Sequence, residues 1–212
     1  KQINYKTISY IEDNQALKEM KSGNSDYLFL DVRENYELGF LAFNEYTNYV
    51  HIRLGDLIND NFILDKNKII VTIAYTETRS NIAANYLLTI GYTKVKILKG
   101  GLDQWVSDNL PLKINENAPT LYAVLKYYPE DQIKNIDASF SYINFESCSQ
   151  NTICPLFLDS KSLSEYINSL SSSNKLYIFH CISNDYCFQA VNFWSEAKNR
   201  ISIIGYTGFK PQ

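Results

Sequence analysis

Two short runs constrain this chain more than any other feature: 27–32 (YLFLDV) and 69–74 (IIVTIA) are almost wholly apolar and rich in branched side chains. A strand that is apolar on both faces has to be covered on both, which is the situation inside a parallel sheet. After the second run, Ile82, Ala83, Tyr86, Leu87 and Ile90 recur at helical spacing, and Gly91 follows as a helix stop. Residues 95–98 (VKIL) read as another strand. Gly100 and Gly101 then lead into a short helical pattern carrying Leu102, Trp105 and Val106, closed by Pro111. Strands alternating with helices predict an α/β fold, a parallel sheet flanked by helices.

The second half repeats this grammar less clearly. Residues 113–119 (KINENAP) are polar and turn-rich, which places a boundary between domains at 1–114 and 115–212; a chain of 212 residues is long enough for two. Ser162, Leu163, Tyr166, Ile167 and Leu170 predict a capped helix, and 176–181 (LYIFHC) a buried strand. Cys187, Ala190, Val191, Trp194 and Ala197 fall on one helical stripe, and 200–204 (RISII) reads as a strand ending at Gly205. From Ala74 to Val95 is 21 positions and from Cys181 to Ile201 is 20, so the halves read as a duplicated strand, loop, helix, strand unit.

Composition narrows the function classes. With 45% apolar and 20% charged residues the chain has the makings of packed cores and not of a disordered segment. A formal charge of -3, with no cluster of Lys and Arg, removes the electrostatic footprint that phosphate-backbone binding needs, so no nucleic-acid partner is expected. No apolar run approaches the roughly 20 residues that span a bilayer. The low charged fraction and paired cysteines lean the expected setting toward an extracytoplasmic one, with the cytoplasm as the alternative. Oligomeric state is not readable from this sequence.

The first half carries further matches in a fixed order: Leu30-Asp31-Val32-Arg33 followed by Glu37 and Gly39, the strand 69–74, the loop 74–80 (AYTETRS), and Leu98-Lys99-Gly100-Gly101-Leu102 with Trp105. Together, over residues 8–112, they resemble the rhodanese-like family. That resemblance implies a sulfurtransferase fold whose loop begins with a nucleophilic cysteine and ends in Arg followed by Ser. Here Arg79 and Ser80 keep their places, and Ala74 stands at the nucleophile position. A thiolate at a helix N-terminus is stabilised by the dipole and by converging N–H groups, and it attacks sulfane sulfur. The loop Ala74, Tyr75, Thr76, Glu77, Thr78, Arg79 and Ser80 therefore reads as an anion-binding cradle with a methyl in place of its sulfur.

Duplication makes Cys181 the counterpart of Ala74. The arrangement resembles tandem sulfurtransferases with a degenerate first domain, which implies Cys181 as candidate nucleophile carrying sulfane sulfur. Ile182, Ser183, Asn184, Asp185 and Tyr186 would form its cradle, with a small sulfur-containing anion or a protein thiol as partner and no cofactor. Tyr206-Thr207-Gly208-Phe209 resembles the turn that follows the last strand of such second domains. The second half departs from the pattern, however: no Asp-Val-Arg element precedes Cys181, and Tyr186 and Cys187 stand where Arg and Ser are expected.

His180-Cys181 is also similar to the start of cysteine phosphatase loops, yet the position that needs a phosphate-holding Arg is Cys187. Neighbouring strand residues point to opposite faces, so His180 is expected to be a buried, hydrogen-bonded histidine and not a base for Cys181. His51, in a predicted strand at 49–54, also reads as structural.

The other reading of Cys148, Cys154, Cys181 and Cys187 is structural. They can form disulfides in three connectivities, and the chain is then a non-catalytic binding or regulatory module. Their C-x5-C spacing is wider than zinc ligands favour, and no metal is expected. Both functional readings stay open at this stage.

Overall fold

A computed structural model of the chain describes residues 8–59, 62–115, 125–133, 135, 140–144, 158–171, 175–181, 190 and 193–208. The chain forms two compact units, one of Lys1–Arg33 and Leu41–Ile114, the other of Glu34–Phe40 and Asn115–Gln212.

In chain order the first unit contains β1 (Ser9–Ile11), α1 (Asp13–Lys21), β2 (Tyr27–Asp31), β3 (Leu41–Ala42), β4 (Tyr49–His51), α3 (Leu54–Asn59), β5 (Ile69–Ile73), α4 (Glu77–Thr89), β6 (Val95–Leu98), α5 (Gly101–Ser107) and β7 (Lys113–Ile114). Helix α2 (Asn35–Phe40) belongs to the second unit. Five strands form an all-parallel sheet in the order β1-β6-β5-β2-β4, so the two most apolar runs, β2 and β5, lie inside it. Phe29, Val71, Ile73, Leu98, Leu102 and Trp105 belong to one core. The Trp105 ring meets Phe43 edge-on, centroids 5.1 Å apart, and its Nε1 donates to the Pro111 carbonyl at 3.3 Å.

Several expected boundaries move, each for a local reason. The strand expected at 49–54 stops at His51, because the Ile52 and Leu54 N–H groups donate to the Asp31 and Val32 carbonyls and Leu54 starts α3. Helix α4 begins at Glu77, and its buried face is Arg79, Ser80, Ala83, Ala84 and Leu87; Ile90 lies at the helix end, exposed. The start of the supposed linker is ordered: β7 pairs antiparallel with β3.

The second unit has α6 (Glu130–Ile133), β8 (Phe140–Asn144), α7 (Ser160–Ser171), β9 (Leu176–Cys181) and β10 (Ser202–Gly208). Its three-stranded sheet is parallel, with β9 between β8 and β10. Gly205 does not end β10, as the sequence pattern suggested. A register shift between Ile203 and Gly205 lets the strand continue, and Tyr206 becomes a buried core residue instead of a turn residue. The Tyr206 N–H donates to the Lys126 carbonyl and its own carbonyl accepts from Tyr128. Phe179, Phe193, Ile167, Ala190 and Ala197 complete this core, with Tyr36 of α2 packed against it. Asp159 accepts the Ser162 N–H at 2.7 Å, a helix cap that holds its carboxyl below the usual aspartate range.

In the first unit the carboxyl end of β2 is tied by a fully buried ion pair. Arg33 Nη2 lies 2.7 Å from Asp31 Oδ2, and its Nε donates to both Asp31 oxygens. Arg33 Nη1 reaches the Leu41 carbonyl at 2.8 Å, the Tyr49 hydroxyl donates to Asp31 Oδ2 at 2.9 Å, and His51 Nε2 lies 2.7 Å from the Arg33 carbonyl. Burial pushes the Asp31 carboxyl up, but the adjacent guanidinium outweighs it and the net shift is downward. Burial and the Asp31 charge push the Tyr49 hydroxyl well above its ordinary range, so it stays a donor.

A carboxyl held below its unfolded value stabilises the fold above that unfolded value, and this contribution is lost as pH falls through the folded one. Asp31→Asn leaves Arg33 buried and uncompensated. The variant should lose about 3–5 kcal/mol in urea unfolding at neutral pH, and the difference from wild type should shrink at acid pH, where wild-type Asp31 protonates.

Candidate active-site loop

The loop after β5 is built around Ala74, whose methyl is fully buried at the carboxyl end of the strand. Thr76 caps α4, its hydroxyl accepting the Thr78 N–H at 3.4 Å. Glu77, in the first turn, accepts the Gly100 N–H at 2.6 Å. The Leu102 and Asp103 N–H groups of α5 donate to the Ala74 and Tyr75 carbonyls at 3.1 and 3.0 Å. The two segments touch so closely that a Cβ at Gly101, φ +62°, would lie 2.6 Å from the Tyr75 carbonyl oxygen. Only glycine fits that contact, a role more specific than the turn suggested by the Gly-Gly pair.

Tyr75, Thr76 and Glu77 are half-buried, Thr78 is exposed, and Arg79 and Ser80 are fully buried. The Thr72 hydroxyl donates to the Ser80 carbonyl at 3.0 Å, tying the first turn of α4 back to β5. The loop is thus held by its backbone and by Thr72, Thr76 and Glu77, and none of these contacts uses the side chain at position 74. Chemically it is the N-terminal end of a 13-residue helix, with an inert methyl at the first position of the loop. The Glu77–Gly100 link was not apparent in the sequence, because a glutamate four residues from a strand end reads as a solvated helix start.

In the second unit, Cys181 ends β9 as expected. It is fully buried, and none of the described cysteines is a free thiol. Gly208, φ +94°, lies against it: a Cβ there would collide with the Cys181 carbonyl oxygen. Register pairs His180 with Asn144 on one side and with Thr207 on the other. In the first sheet, Ile73, the residue before Ala74, pairs in the same way with Asp31.

His180 departs from its expected burial. About a quarter of its side chain is exposed, its Nε2 lies 3.8 Å from Glu130 Oε1, and its ring meets Tyr142 at 6.1 Å. Strand alternation places Cys181 toward the core and His180 away from it. Ile182, Ser183, Asn184, Asp185, Tyr186, Cys187, Cys148 and Cys154 lie outside the described residues. Among the described residues no group of three or more His, Cys, Asp or Glu could hold a metal ion, and no helix is long and apolar enough to cross a membrane.

The family model for the rhodanese-like domain matches residues 13–108. A relative from Bacillus subtilis (strain 168), named "Putative sulfurtransferase YtwF", is 33% identical over 96 residues, which span 45% of this chain and 89% of the relative. Among solved structures, a rhodanese-related protein from Thermoplasma volcanium is 25% identical, with 50% of this chain and 99% of the other covered at a TM-score of 0.42. The polysulfide-sulfur transferase homodimer of Wolinella succinogenes is 26% identical, with 52% and 81% covered at a TM-score of 0.44. With that match covering nearly the whole relative, and with the Asp31–Arg33 pair, the loop at 74–80 and the Gly100-Gly101 contact all in place, the chain belongs to the rhodanese-like domain family.

Proposed function

We propose that this chain is a non-catalytic rhodanese-fold binding module, with a first domain that has lost its nucleophile and a divergent second copy whose cysteine is structural. One observation carries the reading: the atom at the head of the better-preserved loop is the buried methyl of Ala74. A methyl has no lone pair with which to attack a sulfane sulfur, so the cradle has nothing to load. The burial of Cys181 supports the same conclusion for the second copy, with its sulfur read as one half of a disulfide. A sulfur already in a disulfide is silent as a nucleophile until it is reduced.

A second reading has an observation in its favour. Gly208 stands to Cys181 as Gly101 stands to Ala74: in both units a glycine with positive φ abuts the first carbonyl of the loop after the central strand. The strand orders β6-β5-β2 and β10-β9-β8 also agree. These correspondences support an internal duplication in which Cys181 is the counterpart of Ala74. On that reading, reduced Cys181 carries sulfane sulfur to a thiol or to a small anion.

Persulfide formation from thiosulfate or mercaptopyruvate, with cyanide or dithiothreitol as acceptor, separates the two. Wild type and Cys181→Ser should both show background turnover only. Ala74→Cys restores the missing nucleophile in a loop that still ends in Arg79 and Ser80, so its turnover should rise by orders of magnitude. Wild-type turnover that disappears in Cys181→Ser would overturn the non-catalytic reading. Thiol titration of the denatured, unreduced protein is the companion test: Cys181 should be labelled only after reduction, and immediate labelling would remove its structural role.

A further inference from the structure

The edge of the first sheet opposite the loop carries a different surface. Lys68 and Lys94 immediately precede β5 and β6, which are parallel neighbours with Ile70 beside Val95. Both lysines therefore lie at the amino ends of strands whose carboxyl ends lead into the loop at Ala74 and the Gly100-Gly101 turn. Lys66 joins them: its Nζ donates to the Ile90 carbonyl at 3.2 Å and stands 5.1 Å from the centre of the Tyr92 ring. Lys94 Nζ donates to the Asn67 carbonyl at 3.0 Å. Three ammoniums thus share one edge, and among the described residues none of them is in an ion pair. The carboxylates beside them are Asp65, whose Oδ1 accepts the Asn67 N–H at 2.9 Å, and Asp26, which precedes β2.

Apolar side chains stand out from the same edge. The Tyr92 hydroxyl donates to the Leu64 carbonyl at 2.9 Å and accepts the Leu64 N–H at 2.8 Å, which holds the segment 62–66 alongside 90–94. Ile63, next to that anchor, is 93% exposed, and Phe62 and Ile90 are 40% and 39% exposed. Large apolar groups gathered at one place and rimmed by charge mark a surface that meets another body. A second copy of the chain using the same face would set ammonium against ammonium, so the face does not suit self-association. A protruding isoleucine needs a matching pocket in a rigid partner, whereas a bilayer interface closes around it. Lysines beside it can lay their stems on the apolar layer and keep their charge at headgroup level.

We infer that this edge docks the chain on an anionic phospholipid surface. Phe62 and Ile63, with Ile90 beside them, enter the boundary between headgroups and acyl chains, and Lys66, Lys68 and Lys94 meet the lipid phosphates. Charge at the opposite edge sets the orientation: Glu12, Asp13, Glu77 and Asp108 gather there against Lys99. An anionic surface repels that edge while it attracts this one. The loop at 74–80, on the carboxyl side of the same sheet, is thereby presented away from the lipid. The inference goes beyond the reading of the loop and does not depend on whether the loop reacts.

Cosedimentation of the full chain with vesicles of phosphatidylcholine, alone or with about one-third phosphatidylglycerol, tests it. Partitioning onto the anionic vesicles should be about tenfold or more stronger than onto the neutral ones, and should fall to the neutral level at about 1 M salt, where charges are screened within a few ångströms. Lys94→Gln should weaken it about fivefold and Ile63→Ser about tenfold. Lys99→Gln makes the same change of net charge at the opposite edge and should leave it unaltered. Ile63 and Lys94 are exposed, so both variants should unfold on heating as wild type does. The inference is overturned if anionic and neutral vesicles are bound alike or not at all, or if Lys99→Gln weakens binding as much as Lys94→Gln, which would reduce the effect to net charge. Binding of a glutamate-rich peptide without binding of vesicles would also overturn it and assign the edge to an acidic protein.

Discussion

The buried pair of Asp31 and Arg33 is the constraint on which the organised end of the first sheet depends. Isolated, either charge would cost several kcal/mol to bury. Together they satisfy most of each other's hydrogen-bonding capacity, and Arg33 spends what is left on the Leu41 carbonyl while Asp31 takes the Tyr49 hydroxyl. The two residues together therefore tie the end of β2 to the start of β3, through the guanidinium, and to β4, through the Asp31 carboxylate and the Arg33 carbonyl. The Val32 N–H that follows Asp31 donates to the Ile73 carbonyl, so the same corner determines where β5 stops and the loop at Ala74 starts.

The loop owes its shape to its backbone and to side chains other than its first. The side chain of residue 74 makes none of the contacts that shape the loop; the backbone carbonyls of Ala74 and Tyr75, the Thr76 cap, Glu77 and Gly101 do. Exchange of a thiol for a methyl at that point changes reactivity completely while leaving those hydrogen bonds untouched. The buried alanine fills its place as an ordinary core group, with no polar atom to satisfy. The physical requirements for forming the loop are therefore met without any polar contribution from the side chain of residue 74.

How much was legible in the sequence follows from what each element depends on. The strands β2, β5 and β9 were readable because burial on both faces forces an apolar run, and Trp105 was readable as core because no other environment suits a large ring between Leu102 and a closing proline. The edge elements were not. Strand β1 is three residues long, β3 and β7 are two each, and all take their conformation from a neighbour and not from their own pattern. The assignment of Glu34–Phe40 to the second unit was equally hidden, since Tyr36 is positioned by a core assembled from residues more than a hundred positions later. Of the candidate site, the order of the loop residues was visible in sequence. The Gly101 contact with Tyr75 and the Glu77 bond to the Gly100 N–H were not, because each arises from segments that meet only in the folded sheet.

The two glycines at the loop mouths carry the argument furthest. A side chain at Gly101 or Gly208 would collide with a carbonyl at the end of the central strand, and a positive φ penalises any other residue a second time. Such a contact serves to hold the first peptide of the loop against the following segment. That need persists whether the adjoining side chain is the methyl of Ala74 or the sulfur of Cys181. The glycines therefore report on the path of the backbone and not on reactivity. The same backbone device thus recurs in both units and is independent of the side chain at each mouth.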